Sequence, residues 1–152
     1  VTTTAIPESK LVLDQVCGAS AALPAAGAFS TGLKTEILVG ATEAAIVSAY
    51  TRGGAGGSFK LRVWWYFQGD EDVPVGHVFR DDANATVADP IVTVAAYQLV
   101  LQGEAAADAN PVRRALLLTP PPGAVAVRLD VAEVGAVGTP GTLALRVVSR
   151  RG

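Results

Sequence analysis

Apolar and polar residues alternate with a period of two through many short segments, and Gly, Pro and Asp punctuate the gaps between them. A period of two places successive side chains on opposite faces of a strand. Between positions 58 and 67, Phe59, Leu61, Val63, Trp65 and Phe67 share one face, and Lys60, Arg62, Trp64 and Tyr66 share the other. The first set is predicted core. The same period predicts strands over 10–16, 33–39, 44–51, 112–119, 124–134 and 142–149. In 33–39, Leu33, Thr35, Ile37 and Val39 oppose Lys34 and Glu36. In 124–134, Val125, Val127, Leu129 and Val131 point inward, and Arg128, Asp130 and Glu133 outward. In the last segment Leu143, Leu145 and Val147 point inward. A short strand between two acidic turns is expected around 73–80, where Val75, His77 and Phe79 alternate with smaller or charged residues. The run 91–102 is nearly uncharged and apolar on both faces, which suits one long strand, central in a sheet or set against another subunit.

The punctuation completes the outline. The Ala-, Gly- and Ser-rich stretch 18–32, broken by Pro24, reads as a loop. The Gly-rich stretch 52–58 joins two alternating segments and is expected to close a hairpin. It does not suit phosphate: Ser58-Phe59 and a strand follow, where a phosphate loop has Lys-Ser/Thr and a helix. Residues 103–111 read as a loop and 135–141 as a turn, and the run Pro120 to Gly123 stops a strand and turns the chain. Residues 1–9, with a Thr run and Pro7, read as an extended arm. The expectation is one all-β domain over 10–152, an antiparallel β-sandwich or jelly-roll-like fold of roughly eight or nine strands.

Composition narrows the function. Half of the 152 residues are hydrophobic and 17% are charged, enough for a real core. A net charge of −2 does not suit a nucleic-acid partner. Arg146, Arg150 and Arg151 form a local basic cluster, read as a solvated tail or as a dock for an acidic surface. One cysteine, Cys17, excludes a disulfide within the chain, and it follows an apolar run, as a buried inert thiol would. The one histidine, His77, is far from it in sequence, so a Cys/His pair is not expected. No apolar run has the length of a membrane-spanning helix. Val1 to Thr4 lacks the basic and apolar regions of a secretion signal, and the sequence has no Met, so its initiator is not included. Assembly in a cytosol is the expectation.

Candidate chemistry is sparse. Asp70, Glu71, Asp72, Asp81, Asp82, Asn84 and Asp89 crowd the stretch 68–90. Such oxygens suit calcium, but the spacing departs from the EF-hand pattern, and Asp is also an ordinary turn former. A carboxylate pair there is the one catalytic option left. The expectation is no catalytic residue, no metal and no cofactor. Binding is better served. Trp64 and Tyr66 lie beside Lys60 and Arg62 on the outward face, either covered by a loop or neighbouring chain, or open as a platform for a sugar or a partner. Tyr97, Val92, Val94, Val100, Arg150 and Arg151 complete the interface candidates.

One further pattern runs from Pro120-Pro121-Pro122-Gly123 through Ala124 to Leu129, with Arg128, then Ala132-Glu133-Val134-Gly135, then Pro140-Gly141-Thr142-Leu143. It resembles the C-terminal end of small β-sandwich structural proteins of tailed-bacteriophage virions. The stretch from Ala41-Thr42-Glu43-Ala44 through Tyr50-Thr51-Arg52-Gly53 to Leu61-Arg62-Val63 is similar to their central hairpin. The insert 68–90 has no counterpart. The resemblance implies a capsid decoration or cement protein that binds the major capsid protein or other virion proteins. It also implies a homo-oligomer, with the trimer favoured, found in a virion assembled in host cytoplasm. It carries no catalytic residue. A carbohydrate-binding module or virion adhesin built on Trp64 and Tyr66 is the alternative.

Overall fold

The computed structural model describes residues 12–24, 29–51, 53, 58–77, 91–95, 98–102, 112–133 and 140–151. Ten strands form among them: β1 (Val12–Ala22), β2 (Thr35–Glu36), β3 (Glu43–Thr51), β4 (Ser58–Phe67), β5 (Asp70–Gly76), β6 (Ile91–Ala95), β7 (Gln98–Gln102), β8 (Val112–Leu118), β9 (Ala124–Glu133) and β10 (Thr142–Arg150). They build two antiparallel sheets. The first runs β1-β10-β3-β8, and the second runs β2-β9-β4-β7-β6 with β5 also paired to β4.

The pairing follows one rule. β1 pairs with β10, β2 with β9, β3 with β8, and β4 with β7. That is one long hairpin rolled up so that its paired strands alternate between two sheets, the eight-stranded jelly roll. β5 and β6 are additions to it: β5 returns along the end of β4, and β6 extends the sheet beyond β7. The expected antiparallel sandwich is therefore the fold.

The core lies between the sheets. Phe59, Leu61, Val63 and Trp65 of β4, with Val127, Leu129 and Val131 of β9, face Ile46, Tyr50, Leu143, Leu145 and Val147 of the other sheet. Tyr50 and Phe59 meet across it with ring centroids 5.6 Å apart. Each large side chain buried here contributes on the order of 1.5–3 kcal/mol.

Several expectations are corrected. The Gly-rich link at 52–58 does not close a hairpin: β3 and β4 belong to different sheets, so the chain crosses the sandwich there. Each strand needs one buried face, and alternation does not say whether two such faces share a sheet. The loop expected at 18–32 starts later, because β1 runs on to Ala22 with irregularities after Val16 and Gly18. Bulges let a strand absorb a Gly-containing stretch that alternation alone rejects. The strand expected at 33–39 shrinks to Thr35–Glu36, and Leu33 and Val39 are exposed. The single strand expected at 91–102 is two, with Ala95 opposite Gln98. The strand expected near 73–80 is β5, which starts at Asp70, directly after a two-residue turn in which Gly69 takes a positive φ of 87°. Residues 78–80, the arm at 1–9 and the rest of the acidic stretch lie outside the described residues.

Candidate interaction surfaces

The outward face of β4 and β9 carries a layer of cations and aromatic rings. β9 sets Arg128 opposite Trp64, and Asp130 opposite Arg62. Arg128 donates from Nε to Asp130 Oδ1 at 3.1 Å and from Nη2 to Oδ2 at 3.0 Å. Its remaining Nη1 donates to the Tyr66 hydroxyl at 3.3 Å. The guanidinium also lies 5.4 Å from the centre of the Trp64 ring. Lys34 Nζ sits 4.7 Å above the Tyr66 ring and donates to the Glu71 carbonyl at 2.6 Å. Arg62 stacks on Phe29 at 3.9 Å. Arg128, Lys34 and Arg62 are thus each held against a ring face, the arrangement that the ring quadrupole favours.

The edge of this sheet is locked by the segment leading into β2. The Ser30 amide donates to the Val131 carbonyl at 2.8 Å, and the Gly32 amide to Asp130 Oδ1 at 2.9 Å. Gly32 is required for this approach: a Cβ there would lie 2.0 Å from the Leu129 carbonyl oxygen. Asp130 accepts from Arg128 and from the Gly32 amide, so a carboxylate that sequence placed outward is buried by its own partners.

Three interior groups show how little of the polar inventory is free for chemistry. Glu133, expected outward, points into the sandwich and is 1% exposed. The Tyr50 hydroxyl donates to its Oε1 at 3.0 Å and the Gly141 amide to its Oε2 at 2.8 Å. The carboxylate thus ties β3, β9 and the start of β10 together. Val125 is also corrected: an irregularity between Tyr66 and Phe67 turns Ala124 inward in its place, while Val127 points inward as expected. His77 accepts at Nδ1 from the Trp65 indole N–H at 2.9 Å, and burial lowers its pKa from 6.5. Cys17 is buried, and burial pushes its thiol up to about 11, partly offset by a backbone hydrogen bond. A thiol so protonated is a poor nucleophile. No group of three or more potential metal ligands occurs among the described residues. No helix among them is long and apolar enough to cross a membrane.

The outward face of the β1-β10-β3-β8 sheet is different. Val12, Val16 and Leu117 stand exposed there, with Ala45, Val47, Ala49, Ala115, Ala144 and Val148 between them. Its charges pair across strands. Arg146 meets Asp14 at 3.1 Å, and Arg150 bonds to Glu43. The Arg cluster is therefore not a tail, because Arg146 and Arg150 are strand residues, Arg150 directly opposite Glu43 and Arg146 diagonal to Asp14. Sequence reasoning missed this face: alternation sorts inside from outside but does not show which outward residues become neighbours.

The interface candidates divide accordingly. Trp64 and Tyr66 lie together on one sheet, and Arg150 lies on the other, with Arg151 directly after β10. Tyr66 is 6% exposed, while the Trp64 indole nitrogen is buried and makes no hydrogen bond. Val92 and Val94 belong to β6 and Val100 to β7, but their side chains, and Tyr97 altogether, lie outside the described residues.

No protein-family model and no curated protein sequence matches the chain. Solved structures do. A chain of the infectious bursal disease virus Gx strain matches at 10% identity and a TM-score of 0.50, over 100% of this chain and 37% of that one. The cyanophage Pam1 capsid asymmetric unit contains a chain that matches at 16% identity and TM-score 0.43, covering 100% and 93%. The Clostridium thermocellum xylanase 10B CBM22-1–GH10 modules match at 15% and 0.46, covering 95% and 26%. The chain thus spans about a third or less of two of these. At such identities the likeness is one of fold alone, and of these three matches the infectious bursal disease virus chain is the one that reaches a TM-score of 0.50.

Proposed function

We propose that this chain is a non-enzymatic structural protein of a virus particle, which binds the shell as a homo-oligomer and stabilises it. The observation that carries the reading is the exposed apolar face of the β1-β10-β3-β8 sheet, on a rolled-hairpin jelly roll. Contiguous apolar surface of this kind marks protein contact. The jelly roll is a fold of viral shells, among other roles, so the fold supports the reading by analogy. Buried Glu133, half-buried His77 and buried Cys17 are spent on structure, which agrees with a molecule that works through its surfaces. The layer formed by Arg62, Trp64, Tyr66 and Arg128 is buried or half-buried and holds exposed Lys34 above it, a rigid polar surface for a shell partner, and many such contacts on one oligomer add through effective concentration.

The test is co-sedimentation of the purified chain with particles assembled without it. Saturable binding at a fixed ratio to the shell protein is the expected result. No binding to the particles would overturn the reading.

A second reading, sugar binding, rests on a groove of about 330 Å³ beside Tyr66, lined by Lys34, Glu36, Gln68 and Glu71 over Ile37, Val39, Val125 and Ala126. Polar side chains over an apolar floor suit a sugar ring. Saturable quenching of intrinsic fluorescence by a glycan would favour it, and a flat response across a glycan panel would remove it.

A further inference from the structure

We infer that the outward face of the β1-β10-β3-β8 sheet pairs with the same face of a second copy of this chain, as a two-fold dimer.

The register places the face's residues in rows. Asp14, Val148, Ala45 and Leu117 align across the four strands, and so do Val16, Arg146, Val47 and Ala115. In the next row Ala144 meets Ala49, with Arg113 beyond; on the other flank β1 bulges, and Gly18 comes opposite Leu145. Small side chains there leave a dip of about 190 Å³, lined by Val16, Gly18, Val47, Ala49, Arg113 and Ala144 among others. Leu117, 65% exposed, and Val16, 71% exposed, stand proud of the same face. A face that holds both a projection and a recess can match a copy of itself, and contact through one shared patch closes at two.

Charge and size agree. The ion pairs Asp14–Arg146 and Glu43–Arg150 are made within the face, and exposed Arg113 leaves it one net positive charge, too small a charge to call for an acidic partner. Sheets pack about 10 Å apart, and small residues allow it. Four strands about 4.8 Å apart and seven to eleven residues long present roughly 500 Å². Two such faces bury on the order of 1,000 Å², the lower bound for a specific interface. This pairing does not depend on the virus-particle reading. It departs from the trimer that the sequence resemblance implies.

The test is the solution mass of the full chain by light scattering across a wide concentration range. The expected result is twice the protomer mass of 15.5 kDa. Leu117→Asp removes the projection and Ala49→Arg fills the recess. Each is expected to weaken association by roughly tenfold or more. Val39→Asp, an exposed apolar position elsewhere, is expected to leave the mass unchanged. Leu117→Ser keeps the test open should an aspartate prevent folding, which near-ultraviolet circular dichroism reports. A monomer at every concentration, a trimer, or a dimer that survives both face substitutions would each overturn the inference.

Discussion

At the residue scale, the polar side chains inside this sandwich act as joints. Glu133 accepts one hydrogen bond from β3 and one from the Gly141 amide. Glu133→Ala removes the buried acceptor of the Tyr50 hydroxyl and the Gly141 amide, so a loss of about 2–4 kcal/mol in urea unfolding is expected. His77 gives a pH dependence. Its folded pKa lies below 6.5 because burial disfavours the charged ring, so the unfolded chain takes up the proton first. Its contribution is present above that value and is lost as pH falls through it. Protonation also fills Nδ1, which accepts the Trp65 N–H. Stability is therefore expected to fall between neutral pH and the mildly acidic range, and His77→Phe to flatten that part of the profile. A drop of equal size in the variant would assign it to other groups. Trp64 offers the opposite case: its indole N–H is buried without a hydrogen bond, so Trp64→Phe is expected to lose no stability through that atom in urea unfolding.

At the element scale, the segment at 30–37 is a seam that closes one edge of the sheet. Its approach depends on Gly32, where a Cβ would strike the Leu129 carbonyl. Gly32→Ala is expected to cost on the order of 2–4 kcal/mol in equilibrium unfolding and to expose the β9 edge to hydrogen exchange. An unchanged midpoint would contradict the seam. This element also marks how far the sequence could be read. Alternation found β4 to the residue, because Phe59, Leu61, Val63 and Trp65 each need a dry face. It overextended β2, because Leu33 and Val39 continue the apolar period while standing in solvent. It joined β6 to β7, because no turn residue separates Ala95 from Gln98. It misjudged Glu133, whose partner Tyr50 lies on the opposite sheet and far away in sequence. Local period reports burial, whereas these outcomes were set by contacts between distant strands.

At the scale of the whole molecule, the rolled hairpin leaves two unlike outer faces. One is a layer of rings and cations fixed by Arg128 and Asp130. The other is built of small and apolar residues, with two ion pairs closed within it and Arg113 beside them. A protein with a surface for itself and a surface for a partner can tie neighbouring shell subunits together, and the virus-particle reading rests on that division of labour. Its most direct test is the heat release of packaged nucleic acid from particles assembled with and without this chain. The account expects particles that contain it to release their contents several degrees higher, and the gain to vanish when the added chain does not bind the shell. Identical release temperatures in particles saturated with the bound chain would contradict a stabilising role.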